Sequence, residues 1–210
     1  MSNNFSSLKR DGALFVISAP SGAGKTSLCK EIVDIIPGLR HSVSYTTRPI
    51  RKGEVDGVDY HFVDAATFSE MVAAEAFAEW AEVHGNCYGT ALVTLNHARE
   101  SGCDLLLDID CQGAVQLKKK QAQGVNIFIL PPSMEELGRR LRERQTDSDA
   151  VIERRIANAR GEIAQASWYD YWVYNDDFNL ALDQLKSIII AETCRAARFH
   201  GVVEDLLSSP

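Results

Sequence analysis

No stretch of this 210-residue chain approaches 18 consecutive apolar residues, so no membrane-crossing helix is expected. Paired cysteines are missing too. The five cysteines, Cys29, Cys87, Cys103, Cys111 and Cys194, are an odd number without a C-x-x-C pair, which argues against a disulfide framework and for free thiols in a reducing compartment. Met1 to Gly12 are polar and lack the apolar core of a secretory leader, and a cytoplasmic location is the expectation. Positive charge is in deficit: 22 Lys and Arg against 29 Asp and Glu give a formal net charge of -7. That field repels a polyphosphate backbone and argues against nucleic acid as a partner. Internal repeats and low-complexity linkers are also missing, so 45% hydrophobic residues over this length imply one main domain with insertions.

What is present begins with Ala13-Leu14-Phe15-Val16-Ile17, an apolar run followed by Ala19-Pro20-Ser21-Gly22-Ala23-Gly24-Lys25-Thr26-Ser27 and then a helical pattern. Gly22 and Gly24 permit a turn whose N–H groups converge, and those donors together with the next helix N-terminus suit a phosphate chain. In such a loop Lys25 reaches the β- and γ-phosphates and the Thr26 hydroxyl ligates Mg²⁺. The usual pattern opens with glycine, and Ala19 stands there instead. Binding of a nucleoside triphosphate at residues 21–27 follows.

Downstream, apolar Leu28, Ile32, Ile35 and Ile36 form a helical stripe that Pro37-Gly38 ends. Residues 76–83 alternate as a strand, residues 85–90 read as turn chemistry, and residues 91–99 as a helix. Asp104 to Asp110 reads as a buried strand ending in acids, where α/β proteins place ligands. A helix over 111–120 and a strand over 125–130 follow, then two helices over 134–144 and about 150–166, joined by a polar turn that could form a mobile lid. Residues 172–175 close the pattern as a strand, and one helix of roughly two dozen residues is expected from Leu180. That last helix could pack on the core or on another subunit, so a homo-oligomer stays open.

Arginines are clustered on this acidic chain, which suits small phosphorylated ligands. Arg48 and Arg51, with Tyr60 and Tyr88, could form a second anion site of two guanidinium forks and two phenols, suited to a monophosphate. Two phosphate sites of different chemistry imply a donor and an acceptor. The order S-x-T-T-R, G-E, Y, E-W-A-E, G-N-x-Y-G, L-D-I-D-x-Q-G and N-D-D, from about Leu14 to Glu192, closely resembles the guanylate kinases.

That resemblance implies an α/β fold: a P-loop NTPase-type parallel sheet flanked by helices, with an inserted mixed α/β GMP-binding region and a helical lid. The implied division is 1–42 core, 43–92 GMP-binding insertion, 93–138 core, 139–160 lid, and 161–210 core with the C-terminal helix. It implies phosphoryl transfer from ATP to GMP, and to dGMP. Ser44, Glu79, Thr90 and Asp110 fall where the family contacts guanine, and Arg48, Arg51, Tyr60 and Tyr88 where it holds the GMP phosphate. Asn175 falls near the adenine of ATP. Charge on the transferred group would be met by Lys25, Arg48, Arg144 and Arg155, with Mg²⁺ held through Thr26 and waters and with Asp108 on its water shell. Asp110 could equally cap the following helix.

Two departures stand out. Glu143-Arg144-Gln145 replaces the common G-R-G of the lid, and Cys87 replaces the first tyrosine of G-N-Y-Y-G. An interaction module of this family without chemistry is disfavoured by the intact Lys25 and Thr26, and a sugar-phosphate substrate by Glu79 with Ser44 and Asp110. Plain roles are expected elsewhere. The five histidines have no metal spacing, Trp80, Trp168 and Trp172 read as packing, Lys118-Lys119-Lys120 as a solvated helix face, and Cys111 as a buried inert thiol.

Overall fold

The computed structural model describes residues 10–83, 85–120, 123–143 and 148–208. In chain order the elements are β1 (Leu14–Ser18), α1 (Lys25–Ile35), β2 (Leu39–His41), β3 (Tyr45–Thr46), β4 (His61–Phe62), α2 (Ala65–Ala73), β5 (Phe77–Val83), β6 (Asn86–Ala91) and α3 (Leu92–Glu100). Then come β7 (Asp104–Asp108), α4 (Cys111–Lys119), β8 (Val125–Leu130), α5 (Met134–Glu143), α6 (Asp149–Ala164), β9 (Tyr171–Tyr174), α7 (Phe178–Thr193) and α8 (Val202–Ser208).

The main sheet has the order β2-β7-β1-β8-β9, and every pairing in it is parallel. Helices on both faces explain why β1 is an unbroken apolar run: Phe15, Val16 and Ile17 are all buried. Phe15 and Ile17 pack with Leu28 and Ile32 of α1 and Leu185 and Ile189 of α7. Val16 faces the other way, toward Ala114 and Leu117 of α4 and Phe128. A separate small cluster, Leu137, Leu141, Ile152 and Ala159, joins α5 to α6. The strands' carboxyl ends therefore converge beside α1, α4 and the α5–α6 pair, where ligands bind in such sheets.

Residues between β2 and α3 form a second, mixed sheet of order β4-β3-β6-β5. Here the expected turn over 85–90 is corrected, because residues 86–91 are a strand paired antiparallel with β5. Gly89 belongs to that strand for a packing reason: a Cβ there would lie 2.9 Å from Cδ1 of Phe77 and 3.1 Å from Cβ of Trp80. Glycine marks a close approach here, and not a turn.

The C-terminal helix is also corrected. α7 stops at Thr193, and a 3₁₀ turn over Ala196–Arg198 precedes α8. Two contacts hold the break: Arg198 Nε donates to the Glu192 carbonyl at 2.8 Å, and the Asp11 N–H donates to the Arg198 carbonyl at 2.9 Å. No helix of the described residues is long and apolar enough to cross a membrane.

Two glycines separate packing from propensity. A Cβ on Gly12 would lie 2.2 Å from the Cys103 carbonyl oxygen, whereas one on Gly161 in α6 meets nothing within 4 Å. Gly12→Ala is expected to destabilise by roughly 1–3 kcal/mol through overpacking, and Gly161→Ala to stabilise by up to about 1 kcal/mol. Denaturant unfolding of both variants checks the opposite signs.

Candidate active site

The loop between β1 and α1 takes the shape its glycines allow. Gly22 and Gly24 have φ of 96 and 91, a left-handed conformation that side chains with a Cβ resist. Gly24 is the N-cap of α1 and offers no side-chain cap, so the first amides of α1 are left for an anion. Ala19, in place of the opening glycine, is buried.

Lys25 turns back to the end of β7. Its Nζ lies 2.5 Å from Asp108 Oδ1 and donates to the Ile109 carbonyl at 2.7 Å. Burial alone would lower its pKa, but Asp108 more than offsets this and holds it above the ordinary lysine value. Thr26 and Ser27 are exposed at the start of α1.

Asn175 lies beneath the loop. It is 4% exposed, and its Nδ2 donates to the Ala23 carbonyl at 2.6 Å. Its backbone carbonyl accepts from Arg140 Nη2 of α5 at 3.2 Å, and Arg140 Nε pairs with Glu136 at 2.8 Å. Arg155 is half-buried on α6, while Arg144 lies outside the described residues. Glu162 on α6 was not legible as a site residue. Burial pushes its carboxyl up, against the opposing pull of the Ser21 backbone N–H, so it borders the loop.

Across the cleft the second sheet carries the other group. Arg48 is buried, paired through two nitrogens with Glu54 at 2.8 and 3.1 Å, and stacked over Tyr60 at 5.3 Å. Tyr60 and Tyr88 meet edge to face at 6.0 Å. Arg51 is exposed, and its backbone N–H donates to Glu54 Oε2 at 2.7 Å. Glu54 thus orders both arginines, a role that only its place in the G-E pair hinted at. Arg48 holds the Glu54 carboxyl below its usual range.

Glu79 points inward from β5 and is 3% exposed. Thr90 of β6 donates to its Oε1 at 2.6 Å. Burial, reinforced by nearby Asp110, pushes the Glu79 carboxyl up to about 7 despite that hydrogen bond. Asp110 caps α4 by accepting the Gly113 N–H at 2.8 Å, the alternative its position allowed. Ser44 is half-buried beside β3, with its carbonyl bonded to the His61 N–H at 2.9 Å.

Trp168 stacks on Tyr169, and burial pushes the Cys111 thiol up to about 11, an unreactive state. The lysine run departs from a plain solvated face: Lys118 Nζ sits 4.4 Å from the Trp168 ring, and Lys120 Nζ donates to the Phe77 and Ala78 carbonyls.

A Gly-rich loop opening into a helix N-terminus on a parallel sheet, with an inserted second sheet that carries Arg48, Tyr60, Tyr88 and Glu79, is the architecture of a P-loop protein. Residues 11–192 match the family model described as guanylate kinase. The chain is 66% identical over 194 residues to the guanylate kinase of Syntrophotalea carbinolica, covering 92% of each. It is 60% identical to that of Geobacter sulfurreducens, covering 96% of this chain and 99% of the relative. Among solved structures, the guanylate kinase of Anaplasma phagocytophilum superposes with a TM-score of 0.78 at 36% identity, over 96% of both chains. The chain belongs to the guanylate kinase family.

The raised Glu79 pKa makes a stability prediction. Its carboxyl titrates near 7 when folded against 4.5 ordinarily, so between those values the folded state binds more protons and stability falls as pH rises. Glu79→Gln removes this slope. The melting temperature of the variant relative to the parent is therefore expected to climb from pH 4.5 to 7 and level off above that, as thermal scans across pH will show.

Proposed function

We propose that the protein transfers the γ-phosphoryl group of ATP to GMP, and to dGMP, giving ADP and GDP or dGDP. The observation that carries this reading is Glu79: a carboxylate buried beside Thr90 and Asp110, at the strand ends where the P-loop also opens. Guanine presents N1–H and N2–H₂ as adjacent donors, and one carboxylate accepts both. Adenine presents an acceptor at N1 and leaves the carboxylate unpaired. Each unpaired buried group costs roughly 1–3 kcal/mol, and sites built this way reject the wrong partner by about 10⁴-fold.

The roles follow from charge and position. Residues 21–27 cradle the ATP phosphates, and Lys25, already held at the end of β7, meets the β- and γ-oxygens. Arg48, Arg51, Tyr60 and Tyr88 hold the GMP phosphate, and Ser44, Thr90, Glu79 and Asp110 read its base. A GMP phosphate oxygen attacks the γ-phosphorus as the bond to the β–γ bridging oxygen breaks, and ADP leaves with that electron pair. Catalysis of this kind needs in-line positioning and cancellation of charge on the equatorial oxygens. Lys25, Arg48 and Arg155 supply the positive charge, with Arg144, which follows α5 in the chain. No side chain is assigned as general base.

Mg²⁺ fits the oxygen donors at hand. Such an ion keeps several waters and takes one or two protein oxygens plus substrate phosphates. Thr26 and Asp108 supply oxygens of that kind, and among the described residues no group of three or more His, Cys, Asp or Glu forms an all-protein cage. When bound, the ion neutralises phosphate charge. Residues 43–92 act as the GMP-binding insertion and residues 139–160 as the lid, between core segments. The free cysteines support a cytoplasmic location.

A coupled assay of ADP release is expected to show strong preference for GMP over AMP, CMP and UMP, and comparable turnover with AMP would refute the base assignment. Lys25→Ala is expected to lower kcat by about 10²–10³-fold, as loss of a preorganised charge-stabilising donor does; near-normal turnover would remove Lys25 from the mechanism. Because guanine requires the ionised carboxylate, GMP affinity is expected to weaken as pH falls below about 7, the Glu79 value. Calorimetry at pH 6 should detect proton release on GMP binding that vanishes at high pH and in Glu79→Gln.

A further inference from the structure

β5 is the outer strand of the second sheet, so one side of its backbone has no strand neighbour. Its register with β6 also shifts between Phe77 and Glu79, a bulge that places Ala78 outside the regular ladder immediately before the buried carboxylate. Bulges re-aim a side chain at the expense of unpaired backbone groups.

Helix α4 satisfies those groups. Lys120, its C-cap residue, donates through Nζ to the Phe77 carbonyl at 3.2 Å and the Ala78 carbonyl at 2.8 Å. Gln116, one turn earlier, takes both backbone groups of Trp80: its Nε2 donates to the carbonyl at 2.5 Å and its Oε1 accepts the N–H at 3.2 Å. Glu79 is thus flanked on either side by backbone groups tied to one helix. At the other end of α4, Asp110 is the N-cap. Between them Gly113 lets the Glu79 carboxylate lie against the helix, since a Cβ there would come within 2.3 Å of Glu79 Oε2.

We infer that Gln116 and Lys120 are positioning residues for guanine recognition, and that α4 acts as the ruler fixing the separation of Glu79 and Asp110. Neither side chain touches the base. They act by docking the β5 bulge onto the helix that carries the second carboxylate, and hydrogen bonds to carboxylates tolerate little displacement. This inference rests on the guanine reading of Glu79 proposed above.

The test compares Gln116→Leu, Lys120→Met, Lys120→Arg and Glu79→Gln in steady-state kinetics with GMP and ATP varied separately, alongside GMP titration by calorimetry. Loss of either clamp is expected to raise KM and Kd for GMP by about five- to tenfold, the scale of one or two lost hydrogen bonds. KM for ATP should stay within about twofold, and the preference for GMP over AMP should fall in step. Lys120→Arg, which keeps donors at that position, should restore most of the GMP affinity. If Gln116→Leu does not fold, Gln116→Glu replaces it, keeping the acceptor for Trp80 and losing the donor. A structural role alone would move both KM values together, and that result, or unchanged GMP affinity in both clamp variants, overturns the inference. If those variants are silent while Glu79→Gln weakens GMP, the clamp fails and the guanine reading stands; if Glu79→Gln also leaves GMP untouched, both fall.

Discussion

The contact between Lys25 and the end of β7 orders everything around it. One ammonium, bound to Asp108 Oδ1 and the Ile109 carbonyl, ties the phosphate-binding loop of one strand to the carboxyl end of its neighbour. Both side chains are only half-buried, and each charge offsets the desolvation of the other. Asp110 and the start of α4 lie within two residues of that contact, so the Gly-rich loop and the N-cap of α4 share a single attachment point. Asp108 also occupies Lys25 before a triphosphate arrives, and phosphate oxygens must compete with it for the same ammonium.

Outward from that point, hydrogen bonds tie the loop to neighbouring elements. Asn175 turns the Ala23 carbonyl away from the loop's interior, leaving N–H groups as the surface an anion meets. The backbone carbonyl of Asn175 also takes Arg140 of α5. α5 is thus bonded to the loop's support, and α6 borders the loop through Glu162.

Some of this was legible in the chain and some was not, for identifiable reasons. β1, β7 and β8 are largely buried and read as apolar runs, so the strands themselves were legible from pattern, while their arrangement in one parallel sheet came with the family resemblance. Gly22, Gly24 and Lys25 announced their loop because a phosphate cradle needs those residue types at that spacing. Gly89 misled because a glycine that makes room for Phe77 looks the same in sequence as one that turns the chain. The helix break at Cys194 was hidden because its cause is distant: Arg10 bridges to Phe199 and Arg198 folds back on Glu192. Glu79 alone reads as a solvated strand face, and only the stacking of β5 on α4 buries it. Lys120 and Gln116 were illegible for the same reason, since a lysine in a run of three gives no sign that it serves a bulge some forty residues earlier.

Direct transfer requires that a triphosphate seat and a guanine monophosphate seat face each other at close range. A bisubstrate compound, adenosine and guanosine joined through five phosphates, measures this directly by titration calorimetry. Linking two ligands whose sites adjoin is expected to raise affinity over either nucleotide alone by about 10²–10⁴-fold, at a stoichiometry of one per chain. Affinity no better than that of ATP, with GMP still able to bind the complex at full strength, would contradict the account.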